Sequence, residues 1–446
     1  MFLKCVKLYL MKINSLEKKK VLILGIGREG ADSFVFLRKK FPKKKLFVAD
    51  KKKYEEMDLK TRKLLNDKNV ELFLGDDYLK SIKGFDVVLK SPGISLSSIK
   101  KYLSKKTKVT GQTELFFDNC PSMIIGITGT KGKSTTSSLI YSVLKEAGFK
   151  TYLVGNIETP SLSFLLAAKK NDVFVYELSS HQLQNLEISP HIGIFLNIYP
   201  EHLDYYKSLK EYFLAKTNIA KHQKKNDYFI YNSKIKEIND LAKKVKSKKI
   251  EINLIDFAKF FKDNQAFLEI THVDNLIAVL NVAKILEIKD EKVIKAFKKF
   301  KRPEHRLEFV CEKKGIRFYN DSIATIPEAT IFALDSLGYD VETLIVGGFD
   351  RGIKFDKLAD RIIKSNVKNL ILFPISGERI KKEIEKKKVK VKYFSFDNMK
   401  EAINKCFQVT SAGKICLLSP ASPSFGVFRD YKERGDLFKK YIKEKK

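Results

Sequence analysis

The stretch Gly126-Ile127-Thr128-Gly129-Thr130-Lys131-Gly132-Lys133-Ser134-Thr135 decides how the rest of the chain is read. It follows the apolar run Met123-Ile124-Ile125, which reads as a buried strand, and precedes residues 135–144, which have helical spacing. Strand, glycine-rich turn, helix is the setting in which backbone N–H groups converge on phosphate oxygens, with the helix N-terminus adding positive potential. A triphosphate would lie against Gly129, Thr130, Lys131 and Gly132, with Lys133 reaching the outer phosphates and Ser134 and Thr135 opening the helix. The spacing G-x-x-x-x-G-K-[ST] is not met in full, because Ile127 stands where its first glycine belongs. The loop is therefore a variant of that motif, and read alone it also suits a turn that only joins strand to helix.

Working outward, the 446 residues exceed what one core usually serves, so two or three domains are expected, and a hydrophobic fraction of 44% is ordinary for a globular protein. No apolar run is long enough to span a bilayer. The opening MFLKCVKLYLMKINSLEKKK carries lysines through its apolar part and lacks a small-residue cleavage site, so the chain reads as cytoplasmic, with Met11 as an alternative start. Cys5, Cys120, Cys311, Cys406 and Cys416 are odd in number and scattered, which predicts neither a disulfide framework nor a thiolate zinc site. The formal charge of +33 raises nucleic acid as a partner. Yet the lysines are spread through every segment, as in KKK at 18–20, KKFPKKK at 39–45 and KKEIEKKKVKVK at 381–392, and no nucleic-acid module accompanies them. The expectation is solvated lysine faces, no specific nucleic-acid partner and no membrane partner, with attraction of anionic substrates as the consequence.

Three blocks follow. The first has the strand Val21–Leu24, the turn Gly25-Ile26-Gly27-Arg28-Glu29-Gly30, a helix, and the strand Leu46–Asp50, which is a βαβ unit with a dinucleotide-type fingerprint. Strand-like pieces at 70–74 and 86–89 extend it to Gln112. The second block carries the phosphate loop and two buried-strand runs, 172–178 and 192–198, whose polar ends bring Glu177 and the YPEHLD segment at 199–204 to the side where ligands collect in an open α/β sheet. The third shows strands at 343–346, 369–373 and 415–418. The fold class predicted is α/β with three domains: a Rossmann-like N-terminal domain over 1–112, a central P-loop ATPase-type parallel-sheet domain over 113–302, and a Rossmann-like C-terminal domain over 303–446.

Six motifs, GTKGKST at 129–135, YELSS at 176–180, NIYPEHLDYY at 197–206, LAKTNI at 214–219, HRLEF at 305–309 and YNDSIAT at 319–325, together resemble the Mur ligase family in order and spacing. These are the ATP-dependent enzymes that add amino acids to the peptidoglycan precursor. The resemblance covers essentially the whole chain. Within the family, SPGIS at 91–95, GQTELF at 111–116 and SPASPSFGVFRDYKERG at 419–435 are similar to the branch that adds glutamate to UDP-N-acetylmuramoyl-L-alanine. The reaction implied converts a carboxylate to an acyl phosphate, which an amine then attacks, so two anions must be brought together and their repulsion relieved by cations.

The resemblance also implies site residues. Lys133 becomes the γ-phosphate clamp, Ser134 and Glu177 the ligands of a first magnesium, and His202 a ligand of a second, while Lys216 becomes the lysine carbamylated by carbon dioxide and so a metal ligand. Asn275, Arg306 and Asp321 would contact ATP, the last two once the third domain closes. The acceptor would meet Gly27, Arg28 and Glu29 with Asp50 and Lys51 at its uridine diphosphate end, and Ser91, Asn156 and Ser179 beyond it. Glutamate would meet Thr325, Arg351, Ser424 and Tyr431. The chain departs from the family's pattern at His272, where an asparagine is usual, and at Ile323 and Arg351, where lysine is usual. A monomer is expected.

Parts of the same sequence also suit other functions. The first fingerprint alone suits a nicotinamide-dependent oxidoreductase with Asp50 on a ribose hydroxyl. The loop alone suits another amide ligase, such as a folylpolyglutamate synthase, or a nucleotide-binding protein without catalysis. A dehydrogenase has no use for GTKGKST with a downstream metal set, and intact Lys133, Glu177, His202 and Lys216 speak against lost catalysis.

Overall fold

The computed structural model describes residues 11–157, 159–199, 205–206, 208–300, 304–387 and 391–445. The expectation for His202, and those for residues 1–10 and Cys5, lie outside them. Packing separates two compact units, one ending at Phe300 and one beginning at Lys301. Among the described residues no helix is long and apolar enough to cross a membrane, and Cys120, Cys311, Cys406 and Cys416 are free thiols.

The first unit holds two parallel sheets. One comprises β1 (Val21–Leu24), β2 (Leu46–Asp50), β3 (Val70–Leu74), β4 (Val87–Lys90) and β5 (Lys108–Thr110) in the order β3-β2-β1-β4-β5. The other comprises β6 (Met123–Thr128), β7 (Thr151–Gly155), β8 (Val173–Glu177), β9 (Ile192–Phe195), β10 (Tyr228–Tyr231) and β11 (Lys248–Glu251) in the order β11-β10-β9-β6-β8-β7. Central strands of such sheets are covered on both faces, which is why β1, β6, β8 and β9 are nearly unbroken apolar runs. The register sets Ile127 beside Glu177 and Thr128 beside Phe195. The phosphate loop therefore leaves the middle of the second sheet between the carboxyl ends of β8 and β9. The strand expected over 192–198 stops at Phe195: Leu196 N–H still donates to the Thr128 carbonyl at 3.0 Å, and Asn197 turns to the loop, its carbonyl accepting from Thr130 N–H at 3.0 Å.

The two sheets are tied together by packing and by a buried polar latch. The helix Gln112–Asn119 sets Phe116 edge-on to Phe174 and Tyr176 of β8, with ring centroids 5.0 and 5.7 Å away. Its Gln112 Nε2 donates to Asp32 Oδ2 at 2.9 Å, and the same oxygen accepts the backbone N–H groups of Leu162 at 3.0 Å and Ser163 at 3.2 Å. Those donors begin a short 3₁₀ turn, so the carboxylate caps it from the other sheet's helix. Burial holds the Asp32 carboxyl above its usual range.

The second unit has one sheet, formed by β12 (Glu308–Lys313), β13 (Ile316–Asn320), β14 (Val341–Gly347), β15 (Asn369–Phe373), β16 (Lys392–Ser395) and β17 (Ile415–Leu418) in the order β12-β13-β17-β14-β15-β16. Only β12 and β13 run antiparallel. Leu344, Val346, Leu370 and Leu417 pack on one face, and Ile345, Ile371, Cys416 and Leu418 on the other.

The joint between the two sheets of the first unit carries a pH-dependent load. Glu114, on the helix Gln112–Asn119, is pushed up to about 7, first by burial and then by Asp118 and Glu187, with Thr110 and Lys108 opposing. A carboxyl whose folded value is raised gives stability that is present below its unfolded value near 4.5 and is lost as pH rises through about 7. Glu114→Gln should therefore raise the melting temperature by about 1–3 °C at pH 8 and leave it unchanged or lower at pH 5. Thermal melts of both proteins at the two pH values check this, and an equal shift at both would contradict it.

Candidate active site

The phosphate loop is held from behind. Lys131 N–H donates to Asn197 Oδ1 at 2.8 Å while Asn197 Nδ2 donates to the Lys131 carbonyl at 3.1 Å, and Thr130 N–H donates to the Asn197 carbonyl at 3.0 Å. The Thr130 hydroxyl accepts from Tyr199 N–H at 2.9 Å. These contacts satisfy the outer groups of the turn and leave its inner edge to the start of the helix Lys133–Glu146. Gly132, which caps that helix, sits at φ 84°, and a Cβ there would lie 2.5 Å from Asn275 Oδ1. Only glycine meets both conditions. Asn275, buried, is thus packed against the loop, with Nδ2 donating to Thr271 Oγ1 at 2.9 Å.

Two ammonium groups converge on one carbonyl of this loop. Lys133 Nζ donates to Gly129 O at 2.9 Å and Thr130 O at 3.0 Å, and Lys216 Nζ donates to Gly129 O at 3.0 Å and Thr128 Oγ1 at 3.3 Å. Lys216 lies on the helix Leu209–Thr217, is 1% exposed, and stands over the Tyr212 ring at 4.8 Å. Such a concentration of positive charge suits phosphoryl oxygens. Glu177, at the end of β8, is buried; its Oε1 accepts from Asn156 Nδ2 at 2.9 Å, and Oε2 is buried with no hydrogen-bond partner among the described residues. An unmatched buried carboxylate oxygen is costly to a protein but apt for a hard cation. With the buried hydroxyl residue Ser134 at the helix start, it fits magnesium.

A cavity of about 260 Å³ joins these groups to the first sheet: Lys133, Asn156, Gln182 and Lys216 line it together with Glu29 and Gly93. Gln182 Nε2 donates to Glu29 Oε1 at 2.6 Å. Burial pushes the Glu29 carboxyl up to about 7, against the pull of Gln182, Lys90 and Arg28. Burial likewise lowers Lys90 to about 8, its Nζ donating to Ile94 O at 2.7 Å and Ser91 O at 3.0 Å. Ser91 Oγ donates to Gly25 O at 2.9 Å. Asp50 accepts from the N–H groups of Ile26 at 2.7 Å and Lys52 at 2.9 Å, bracing the glycine turn. Gly27, Arg28 and Lys51 are exposed, and Ser179 caps the short helix Ser180–Leu183. His272, where the family's pattern has asparagine, caps the helix Val273–Ile285 by accepting from Asp274 N–H at 3.3 Å.

In the second unit one buried cation that sequence reasoning did not assign joins the turns that carry Asp321 and Ser424. Arg434, 0% exposed, donates from Nε to Ser322 Oγ at 3.0 Å and from its two terminal nitrogens to Ser322 O at 2.8 Å and Ser422 O at 3.1 Å. Burial brings it down to about 9, with Asp321 opposing. It thereby ties the turn after β13, which carries Asp321 and leads to Thr325, to the turn after β17, which carries buried Ser424. Asp321 is itself buried, accepting from Leu307 N–H at 3.1 Å and Ser419 Oγ at 2.9 Å. The Tyr431 carbonyl accepts from Ser322 Oγ at 2.7 Å, Arg306 and Ile323 are half-buried, and Arg351 is exposed. Glu304, His305 and Asp436 could group around a metal, but Lys439 Nζ already stands 3.6 Å from Glu304 and 3.4 Å from Asp436. The signal for Arg434 was its place in the final helix, one residue before Gly435, which lies against His305. Arg434→Lys keeps the charge but loses the three-way fork. It should lower the melting temperature and cut turnover by at least tenfold, as thermal melts and a phosphate-release assay would measure; full turnover would contradict the clamp.

Comparison with known proteins accords with this geometry. Residues 127–294 match the Mur ligase middle domain, and residues 305–422 the Mur ligase glutamate ligase domain. The chain is 34% identical over 455 residues to the UDP-N-acetylmuramoylalanine--D-glutamate ligase of Clostridium acetobutylicum, covering 96% of this chain and 97% of that one. It is 35% identical to the enzyme of the same name from Acetivibrio thermocellus, covering 97% and 98%. In fold it resembles MurF ligase from Thermotoga maritima in complex with ADP, with a TM-score of 0.56 at 15% identity over 97% of this chain and 96% of that one. The MurC ligase of the same organism gives a TM-score of 0.57 at 15% identity over 96% and 100%. The chain therefore belongs to the Mur ligase family, on the branch of the D-glutamate ligases.

Proposed function

We propose that the chain joins D-glutamate to UDP-N-acetylmuramoyl-L-alanine with hydrolysis of ATP to ADP and phosphate, a step of cytoplasmic peptidoglycan precursor synthesis. The observation that carries the reading is the cavity in which Lys133 of the phosphate loop, Glu177's partner Asn156 and Lys216 share walls with the glycine turn of the first sheet. A site for ATP and a site for a second nucleotide-bearing substrate open on the same space.

The acceptor's terminal carboxylate takes the γ-phosphoryl group, breaking the bond to ADP and forming an acyl phosphate. The amine of glutamate attacks the acyl carbon, phosphate departs, and an amide remains. Lys133 supplies positive charge where the two anions approach, and Asn156, fixed by Glu177, orients the acceptor. Bound magnesium would neutralise charge on the phosphates, held by Ser134 and Glu177, with His202 and a carbamate on Lys216 as ligands of a second ion. Residues 1–112 would serve the acceptor, 113–302 ATP and 303–446 glutamate, the last through Thr325, Arg351, Ser424 and Tyr431. Asn275, Arg306 and Asp321 would contact ATP. The enzyme is read as a cytoplasmic monomer.

A phosphate-release assay with UDP-N-acetylmuramoyl-L-alanine, ATP and a panel of amino acids tests the reading, with D-glutamate expected to give the highest rate; no release with any of them would refute it. Lys133→Ala should abolish turnover while leaving the melting temperature within about 2 °C of the parent, because the side chain donates to the loop carbonyls of Gly129 and Thr130. Lys216→Ala should be nearly inactive and regain part of its rate with formate or acetate, since a short acid replaces a lost carbamate. Rescue by a small amine alone would remove the carbamate from the mechanism.

A further inference from the structure

Glu29 is an acid in a cavity meant for anions. Its hydrogen bonding fixes where a proton on it can reside. Ser179 N–H donates to Gln182 Oε1 at 3.0 Å, and Ser179 Oγ lies 3.1 Å from the same atom. The amide of Gln182 is thereby oriented, and its Nε2, which can only donate, is the end that meets Glu29 Oε1 at 2.6 Å. Glu29 Oε1 accepts, so a proton on this carboxyl must lie on Oε2, which is buried and has no hydrogen-bond partner among the described residues.

The charges around it do not settle the matter in favour of the carboxylate. Lys90 faces it from β4, and Arg28 and Asp32 flank it on its own helix. Tyr176 of β8 feels its charge, and Lys133, His181 and Lys216 stand on the other walls of the cavity. Gln182, the direct partner, is neutral. An ionised Glu29 would repel an incoming diphosphate, whereas the neutral acid would not.

We propose that Glu29 is a binding residue of the acceptor site that must itself be a neutral carboxylic acid for the acceptor to enter, so that the acceptor's diphosphate and one proton bind together. The proton passes from solvent to Oε2, and no covalent bond changes. This rests on the acceptor assigned above and adds to it a condition on binding. Burial, which brings the free carboxyl up to about 7, leaves the unliganded protein divided between the two forms near neutrality.

Calorimetry of the full-length protein with UDP-N-acetylmuramoyl-L-alanine, and with UDP-N-acetylglucosamine, which has the diphosphate but no carboxylate, tests it without turnover. Neither ligand titrates between pH 6 and pH 8. For the wild type, affinity for both should fall about tenfold from pH 6 to pH 8, and two buffers of different ionisation heat should show uptake of nearly one proton at pH 8. In Glu29→Gln, whose amide keeps a donor in place, the affinity should be the same at both pH values. A flat wild-type profile, or an unchanged slope in Glu29→Gln, overturns the proposal. A slope with the muramoyl compound but none with UDP-N-acetylglucosamine overturns the assignment to the diphosphate. Because the wild-type measurements need no variant, a misfolded Glu29→Gln does not decide the matter. Flat affinity with normal phosphate release sinks the inference alone, whereas absence of phosphate release and of binding sinks the acceptor reading.

Discussion

A phosphate loop works by leaving backbone N–H groups unspent, and a turn with unspent donors has little to hold its shape. Here the shape is held by the paired hydrogen bonds between the Asn197 side-chain amide and both the N–H and C=O of Lys131. The partner comes from the end of β9, next to β6 in the sheet, so the loop's conformation is coupled to strand register. Gly132 completes the arrangement by accepting a left-handed backbone and the close approach of Asn275. Removal of either would leave the strand, the helix and their apolar core intact but would release the loop between them. The site depends on these few contacts more than on the larger area buried beneath it.

Around that loop, burial decides the state of the charged groups more than their mutual attraction does. Glu29 and Lys90 attract each other, yet the acid is raised and the base lowered, each toward its neutral form. Desolvation is the leading cause for both. Arg434 shows the same ordering in the second unit, where burial outweighs the pull of Asp321. Such walls do not neutralise themselves through ion pairs. In Glu177, by contrast, one carboxylate oxygen is left without any hydrogen-bond partner among the described residues.

Much of this was legible in the sequence, for a physical reason. Parallel strands buried on both faces are continuous apolar runs, and the polar residues that end them, Glu177 after β8 and the loop after β6, fall where ligands collect. What escaped depends on partners far apart in the chain. Arg434 bonds to Ser322, 112 positions away, and Asn197 to Lys131, 66 positions away; neither spacing has a local signature. Edge strands escaped for the opposite reason. β11 reads Lys-Lys-Ile-Glu and β16 opens on Lys392, compositions that look like loop or helix but suit an exposed edge that must not pair with another sheet. Asp50 had two readings as a ligand contact, and the structure gives its carboxylate oxygens to the backbone N–H groups of Ile26 and Lys52, a bracing role that neither reading contained.

The formal charge of +33 is carried by lysines spread over the whole chain. Many lysines lie over aromatic rings: Lys20 stands 4.7 Å from the centroid of Phe85, Lys405 4.5 Å from Phe394 and Lys248 5.0 Å from Tyr228. Their ammonium groups lie over ring faces, a cation–π use of lysine suited to a chain that has 33 phenylalanines and no tryptophan. The resulting field draws anions of every kind and is screened within about 8 Å at physiological salt. It can speed encounter with ATP and with a nucleotide sugar, but it cannot tell them apart. Discrimination has to come from groups that the field does not govern, the buried ones whose charge is set by their surroundings. That is where a buried acid such as Glu29 has more influence than any of the surface lysines.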